Sequence, residues 1–221
     1  MNSTQKFKGA IFDLDGTIAY TLEDLKTAMN LMLADFGYPL QDLAGILAAI
    51  NCGAHEFVRG CLPDGVKDDE AKVDECHKVY SVYYSEHYND TTHLYDGILE
   101  TVLEMKKRGL KLAVLSNKGD DHTKAIVYKL FPDGTFDYVF GNRPDFPTKP
   151  DPKSALFVTA ELGCTPDDIL YIGDSNVDMK TAINAGFFPC GVTWGFRDRQ
   201  ILLDTGAKVL VDKPEEILSL L

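Results

Sequence analysis

The sequence predicts an α/β protein, a three-layer, doubly wound parallel sheet with a helical cap inserted into it. Three observations carry that expectation. Short apolar runs at residues 8–12, 111–115 and 169–172 each end at a polar loop, as strands buried on both faces do. Stretches with helical periodicity separate these runs, and strands alternating with helices imply parallel pairing with helices on both faces of the sheet. Residues 20–91 break the alternation, because helix-like text recurs there with no apolar run between.

Taken in chain order, residues 8–12 (KGAIF) form the first strand, which stops at Asp13. Helices are expected at 22–36, 40–50 and 73–87. In the last of these Val73, Cys76, Val79, Tyr80, Tyr83 and Tyr84 fall near the i, i+3, i+4, i+7 template, so the stripe reads as a packing face rather than a ligand site. Residues 98–108 (ILETVLEMKKR) read as a helix with basic residues in its last turn and Gly109 closing it, and residues 154–162 as another closed by Gly163. Weaker strands at 138–140, 189–192 and 208–211 bring the sheet to six. The expected division is a core of residues 1–18 and 92–221 with a cap of residues 19–91.

The chain has 221 residues, of which 45% are hydrophobic and 25% charged, enough for one core and an insertion. A net charge of −12 repels phosphate backbones and anionic headgroups, so neither nucleic acid nor a membrane surface is an expected partner. A small anionic substrate would then need a local cation, a metal or converging backbone N–H groups. The five cysteines, Cys52, Cys61, Cys76, Cys164 and Cys190, are odd in number, scattered and never spaced CxxC, which argues against a disulfide framework and a zinc site. No signal-like opening segment and no apolar run of about 18 residues is present. The expectation is a cytoplasmic protein, monomeric or homodimeric.

The C-terminal ends of parallel strands open onto one edge of the sheet, where such folds bind ligands. There the sequence delivers Asp13-Leu14-Asp15-Gly16-Thr17, then Ser116-Asn117-Lys118-Gly119, then Gly173-Asp174-Ser175-Asn176-Val177-Asp178. Converging carboxylates are costly without a cation among them, and hard oxygen ligands of this kind select magnesium. One carboxylate can attack a phosphoryl group while its neighbour moves protons.

FDLDGT at 12–17, Ser116 with Asn117 behind a buried strand, Lys149 within TKPDP, and GDSNVD at 173–178 resemble, in order and spacing, the four motifs of the haloacid dehalogenase-like hydrolase superfamily. The resemblance covers nearly the whole chain. Through TKPDP and GDSNVDMKTAINAG it is strongest toward phosphoglycolate phosphatases and related small-molecule phosphatases. It implies a Rossmann-like core with a cap, Mg2+ as cofactor and a small phosphorylated metabolite as substrate. By position it implies Asp13 as nucleophile and metal ligand, and Asp15 as general acid and base, meeting the metal through its carbonyl. Ser116 and the Asn117 N–H would hold phosphoryl oxygens, Lys149 would neutralise the nucleophile and phosphoryl group, Asp174 would be a direct metal ligand, and Asp178 would bind the metal or its waters.

Other readings of the same motifs differ in what they require. A dehalogenase would need neither the metal nor Asp15. A phosphosugar mutase shares all four motifs and differs in its cap. A non-catalytic phosphate-binding or interaction module is disfavoured by the intact Asp13, Asp15, Lys149 and Asp174. The histidines His55, His77, His87, His93 and His122 are dispersed and read as surface or satisfied polar groups. Arg59 suits bidentate capture of a substrate carboxylate and equally a solvated helix face. Tyr20 stands at the expected cap hinge where relatives often carry a small acid.

Overall fold

A computed structural model describes residues 6–50 and 53–221. Residues 1–5 of the expected core and 51–52 of the expected cap, Cys52 included, lie outside the described residues. The elements follow in chain order as β1 (Gly9–Phe12), β2 (Ala19–Tyr20), α1 (Leu22–Asp35), α2 (Leu43–Ala49), α3 (Ala54–Cys61), α4 (Glu70–His87), β3 (His93–Leu94), α5 (Ile98–Lys107), β4 (Lys111–Gly119) and α6 (Asp120–Leu130). They continue with β5 (Tyr138–Asn142), α7 (Lys153–Glu161), β6 (Ile169–Gly173), α8 (Asn176–Ala185), β7 (Phe188–Val192), α9 (Arg199–Asp204) and β8 (Val209–Val211).

Six strands form one sheet in the order β5-β4-β1-β6-β7-β8, with every neighbouring pair parallel. All six are the strands expected from sequence. Because side chains alternate along a strand, β1 serves two layers at once. Phe12 packs with Val114 and Ile172 toward Ile98 and Val102 of α5 and Ile126 of α6. Ile11 packs with Ala113 and Tyr171 toward Val158 of α7 and Ala182 of α8. The chain departs from β1 toward β4 on one side and β6 on the other, so the C-terminal end of β1 is the switch point of the sheet.

Helices α1 to α4 build an apolar core of their own around Met29, Met32, Leu33, Ile46, Phe57 and Val73. The two chain crossings between this insertion and the sheet pair as an antiparallel ribbon, Ala19 opposite Leu94 and Tyr20 opposite His93. The Tyr20 ring packs against His93 and Tyr95 there, centroids 5.4 and 6.1 Å away. Asp24 secures the return crossing: its buried carboxylate accepts from the N–H and hydroxyl groups of Thr91 and Thr92, at 2.6 to 3.0 Å for the four shortest contacts.

The insertion departs from expectation in three places, the first being α4, which starts at Glu70 and not at residue 73 because Asp69 caps it by accepting from the Ala71 and Lys72 N–H groups. Helix α2 starts at Leu43 instead of residue 40, because Asp42 caps it by accepting from the Gly45 N–H at 2.9 Å, leaving Leu40 outside and exposed. Helix α3 was not expected: it is eight residues long with Gly60 inside, too short for its own periodicity to announce it. Gly60 is where α3 meets α2, and a Cβ there would press on Ala49 at 2.9 Å. Strand β4 runs through Gly119, past the expected end at residue 115, with an irregularity in its pairing to β5 over the polar Ser-Asn-Lys segment. No helix among the described residues is long and apolar enough to cross a membrane.

Candidate active site

Asp13 leaves β1 with its N–H bonded to the Ile172 carbonyl at 2.9 Å, so its position is set by the sheet itself. Directly after it the chain doubles back, with the N–H groups of Thr17, Ile18 and Ala19 converging on the Leu14 carbonyl at 3.0 to 3.3 Å. Gly16 makes this turn possible at φ 82°, a left-handed conformation, and a Cβ there would collide with the Asp174 carboxylate.

Lys149, 3% exposed, reaches from the loop before α7 to the end of the sheet. Its ammonium donates to Asp13 Oδ1 and Asp178 Oδ1, each at 2.7 Å, and to the Leu115 carbonyl at 3.2 Å. Burial alone would lower this ammonium, but Asp13 and Asp178 outweigh it and hold it well above the ordinary lysine value. The Asn117 side chain clamps the lysine backbone, its Nδ2 donating to the Lys149 carbonyl at 3.0 Å and its Oδ1 accepting from the Lys149 N–H at 2.7 Å. That positioning contact is additional to the backbone role expected for Asn117. Ser116 is buried beside it; its Oγ accepts from the Lys118 N–H at 3.1 Å, which leaves the hydroxyl proton to donate.

Asp178 lies one turn into α8, where it and Ser175 form a reciprocal cap: Ser175 Oγ donates to Asp178 Oδ2 at 2.6 Å and accepts from the Asp178 N–H at 3.2 Å. Asp174, 1% exposed, accepts from Thr17 Oγ1 at 3.1 Å and from the Phe196 N–H at 2.7 Å. Oxygens of Asp13, Asp174 and Asp178 all lie within 4.8 Å of one another. Burial, then the Asp178 charge, raises both remaining carboxyls, Asp13 well above the carboxylate range and Asp174 to about 7. Three carboxylates thus face one buried ammonium. Hard oxygen donors left with surplus negative charge suit a divalent cation.

Asp15 opens onto the same cavity but stands apart from that cluster. Its Oδ1 accepts from Thr21 Oγ1 at 2.5 Å and from Lys118 Nζ, whose side chain is almost wholly buried. The cavity has a volume of about 330 Å³ and is roofed by the insertion. The aromatic stripe of α4 packs as expected, yet Tyr80 and Tyr84 also line the cavity, and so do two of the five histidines, His77 and His122. Arg59 does not face it: its guanidinium binds Glu70 at 2.7 Å, Glu56 at 3.2 Å and the Lys67 carbonyl at 2.8 Å within the insertion.

Sequence reading also missed Phe196 and Arg197. The loop after β7 brings Phe196 to Asp174, and Arg197 donates to the carbonyls of Leu47 at 2.9 Å and of Ile50, tying that loop to the end of α2. Nothing local in WGFRD signals this, since its partners are some 150 residues away in sequence.

A family model described as haloacid dehalogenase-like hydrolase matches residues 10–192. A phosphoglycolate phosphatase of Mannheimia succiniciproducens is 31% identical over 211 residues, covering 93% of each chain. Phosphoglycolate phosphatase 1 of Pseudomonas aeruginosa is 28% identical over 211 residues, covering 94% of this chain and 77% of its own. Among solved structures, a candidate phosphoglycolate phosphatase of Lactobacillus delbrueckii subsp. bulgaricus superposes with a TM-score of 0.90 at 31% identity, over 96% of this chain and 97% of that one. Four motifs gathered at one sheet edge, a family match across most of the chain and a shared fold lead to one conclusion: the chain belongs to the haloacid dehalogenase-like hydrolase family.

Proposed function

We propose that this chain hydrolyses a small phosphomonoester with magnesium, through an aspartyl-phosphate formed on Asp13. The observation that carries the reading is Lys149 held between Asp13 and Asp178 at 2.7 Å, in the wall of a cavity that Asp174 also lines. An isolated buried nucleophile would be repelled by a phosphoryl dianion; the ammonium offsets that repulsion where charge moves during transfer. Names of the relatives support phosphate-ester chemistry over dehalogenation.

Asp13, Asp174 and Asp178 would hold the magnesium ion, which when bound neutralises phosphoryl charge. In the first step an Asp13 oxygen forms a bond to phosphorus as the bond to the alcohol oxygen breaks, and Asp15 gives that oxygen its proton. Thr21 and Lys118 fix one oxygen of Asp15 and so orient the other. Ser116 and the Asn117 N–H hold the equatorial oxygens. In the second step Asp15 takes a proton from water, the water oxygen attacks phosphorus, and Asp13 leaves as carboxylate with phosphate released. Residues 19–91 serve as the cap over residues 1–18 and 92–221, shielding the intermediate from bulk water. The four described cysteines are free, which fits the reducing cytoplasm where we place the protein.

Phosphate release from a panel of phosphomonoesters, with magnesium and with chelator, tests this. Magnesium-dependent release is the expected result; metal-independent turnover, or none on any ester, would sink the proposal.

The acidic cluster also has a consequence for stability. An unfolded aspartate ionises near pH 4, whereas Asp174 in the fold ionises at about 7. Its contribution is therefore full below the unfolded value and is lost as pH rises through that window, by roughly 1 kcal/mol per pH unit. In chelator the melting temperature should fall between about pH 4 and pH 7, magnesium should reverse the fall, and Asp174→Asn should make it shallower, leaving the part that belongs to Asp13, whose carboxyl is raised by the same burial and the same Asp178 charge. A profile unaffected by Asp174→Asn would exclude this origin.

A further inference from the structure

Asp15 is held by one of its two oxygens. Thr21 Oγ1 and Lys118 Nζ both donate to Oδ1, so Oδ2 is the oxygen left for proton transfer in the cavity that Asp15 lines. Thr21 lies at the crossing into the insertion, and Lys118 comes from β4, where it is fixed at both ends. Its N–H donates to Ser116 Oγ and its carbonyl accepts from Thr123 Oγ1, each at 3.1 Å. At the other end the ammonium lies over the Tyr84 ring, 5.2 Å from its centroid.

Tyr84 belongs to α4 of the insertion, and its ring is itself packed, stacked on Tyr80 at 5.6 Å and in an edge contact with His122 at 5.1 Å. A cation within about 6 Å of a ring face is attracted to it, the more so where water is excluded. The Lys118 side chain is 5% exposed. The ring is also a particular kind of partner. A second carboxylate in its place would attract the ammonium and compete with Asp15 for its N–H groups; a ring attracts the charge and offers no oxygen.

Taking Asp15 as the general acid of the phosphatase reaction proposed above, we infer that Tyr84 and Lys118 are positioning residues acting in series. The ring holds the Lys118 ammonium, and the ammonium holds Asp15 with Oδ2 toward the leaving-group oxygen. In the first step the Oδ2 proton passes to the alcohol oxygen as its bond to phosphorus breaks and the Asp13–phosphorus bond forms. Asp15 is left as a carboxylate paired with Lys118. Neither positioning residue needs to touch the substrate. The insertion thereby enters the chemistry through a contact within the cavity wall, and not only by roofing the cavity.

The test is the dependence on the leaving group, read as kcat/KM of the full chain with magnesium on benzyl phosphate and on 4-nitrophenyl phosphate. Both esters carry one ring, but the benzyl alkoxide needs a proton to leave and 4-nitrophenolate does not. kcat/KM covers the steps up to transfer onto Asp13, before Asp15 acts on water. Lys118→Met should lower it on benzyl phosphate by about 10²-fold, the lower end of what a placed general acid contributes, and far less on 4-nitrophenyl phosphate. Tyr84→Leu should lower the benzyl ester by about tenfold with the same selectivity, whereas Tyr84→Phe, which keeps the ring, should keep the wild-type ratio of the two esters. Adding Tyr84→Leu to Lys118→Met should leave the ratio of the single Lys118 variant unchanged, as residues in series require. A ratio taken on one preparation does not depend on the fraction folded, so a destabilised variant still gives an answer. Equal losses on both esters in Lys118→Met would make Lys118 a structural ion pair and overturn the inference while the phosphatase reading stands. An unchanged ratio in Tyr84→Leu, or a further change in the double variant, would overturn the link to the ring. Absence of magnesium-dependent turnover of either ester by the wild type would overturn the phosphatase reading and this inference with it.

Discussion

Asp13→Asn should abolish turnover, by roughly 10⁴-fold or more, without unfolding the protein. The amide keeps the shape of the carboxylate, and its oxygen can still accept from Lys149 Nζ, which now sits 2.7 Å away. What it loses is the negative oxygen proposed to bond to phosphorus. Removing one of three crowded carboxylates also relieves repulsion, so the melting temperature in chelator should hold or rise. Phosphate release and mass analysis of the peptide bearing residue 13 under turnover are the paired measurements. Wild-type enzyme should show phosphorylation there and the variant none; full activity in Asp13→Asn would disprove the covalent route.

Lys149→Met should damage both stability and catalysis. The side chain is buried and bridges two carboxylates, and deleting one partner of a buried ion pair strands the other, at a cost of about 3–5 kcal/mol. Turnover should fall by roughly 10²–10³-fold, the scale for losing one preorganised charge at a transferring group. Adding Asp178→Asn separates the two effects. It removes one stranded charge, so the double variant should regain part of the melting temperature lost in chelator but none of the turnover. Recovery of activity with stability would mean that Lys149 acts only as a structural counter-ion.

The two substitutions lie in residues that sequence singled out, and the reason is geometric. A strand of a parallel sheet ends at one edge, so an apolar run followed by DLD, SN or GDSNVD announces both the element and the location of its polar groups. Six strands, their parallel pairing and the meeting of Asp13, Asp174 and Asp178 followed from period and order along the chain, whereas the place of Lys149 was implied by the resemblance of its TKPDP segment to a family motif. Helix α3 did not, because eight residues with an internal glycine form a helix through packing on α2 and α4, and that packing has no local signature.

Contacts between distant residues were equally silent. Asp15 owes its orientation to Lys118, 103 positions away, and Asp174 owes one of its hydrogen bonds to Phe196, on a loop that follows a different strand. The α4 tyrosines show the division most clearly. Their helical spacing determined that one face is buried, by the hydrophobic effect acting on a 3.6-residue period. Only the folded insertion decided that Tyr84 would be buried at the rim of a cavity with its hydroxyl unpaired, since that depends on where α4 sits over the end of the sheet. The sequence alone determined the reaction edge, because each of its motifs is a local pattern tied to a strand end. The wall that faces it was decided by tertiary structure, because it is assembled from segments whose meeting no local pattern encodes.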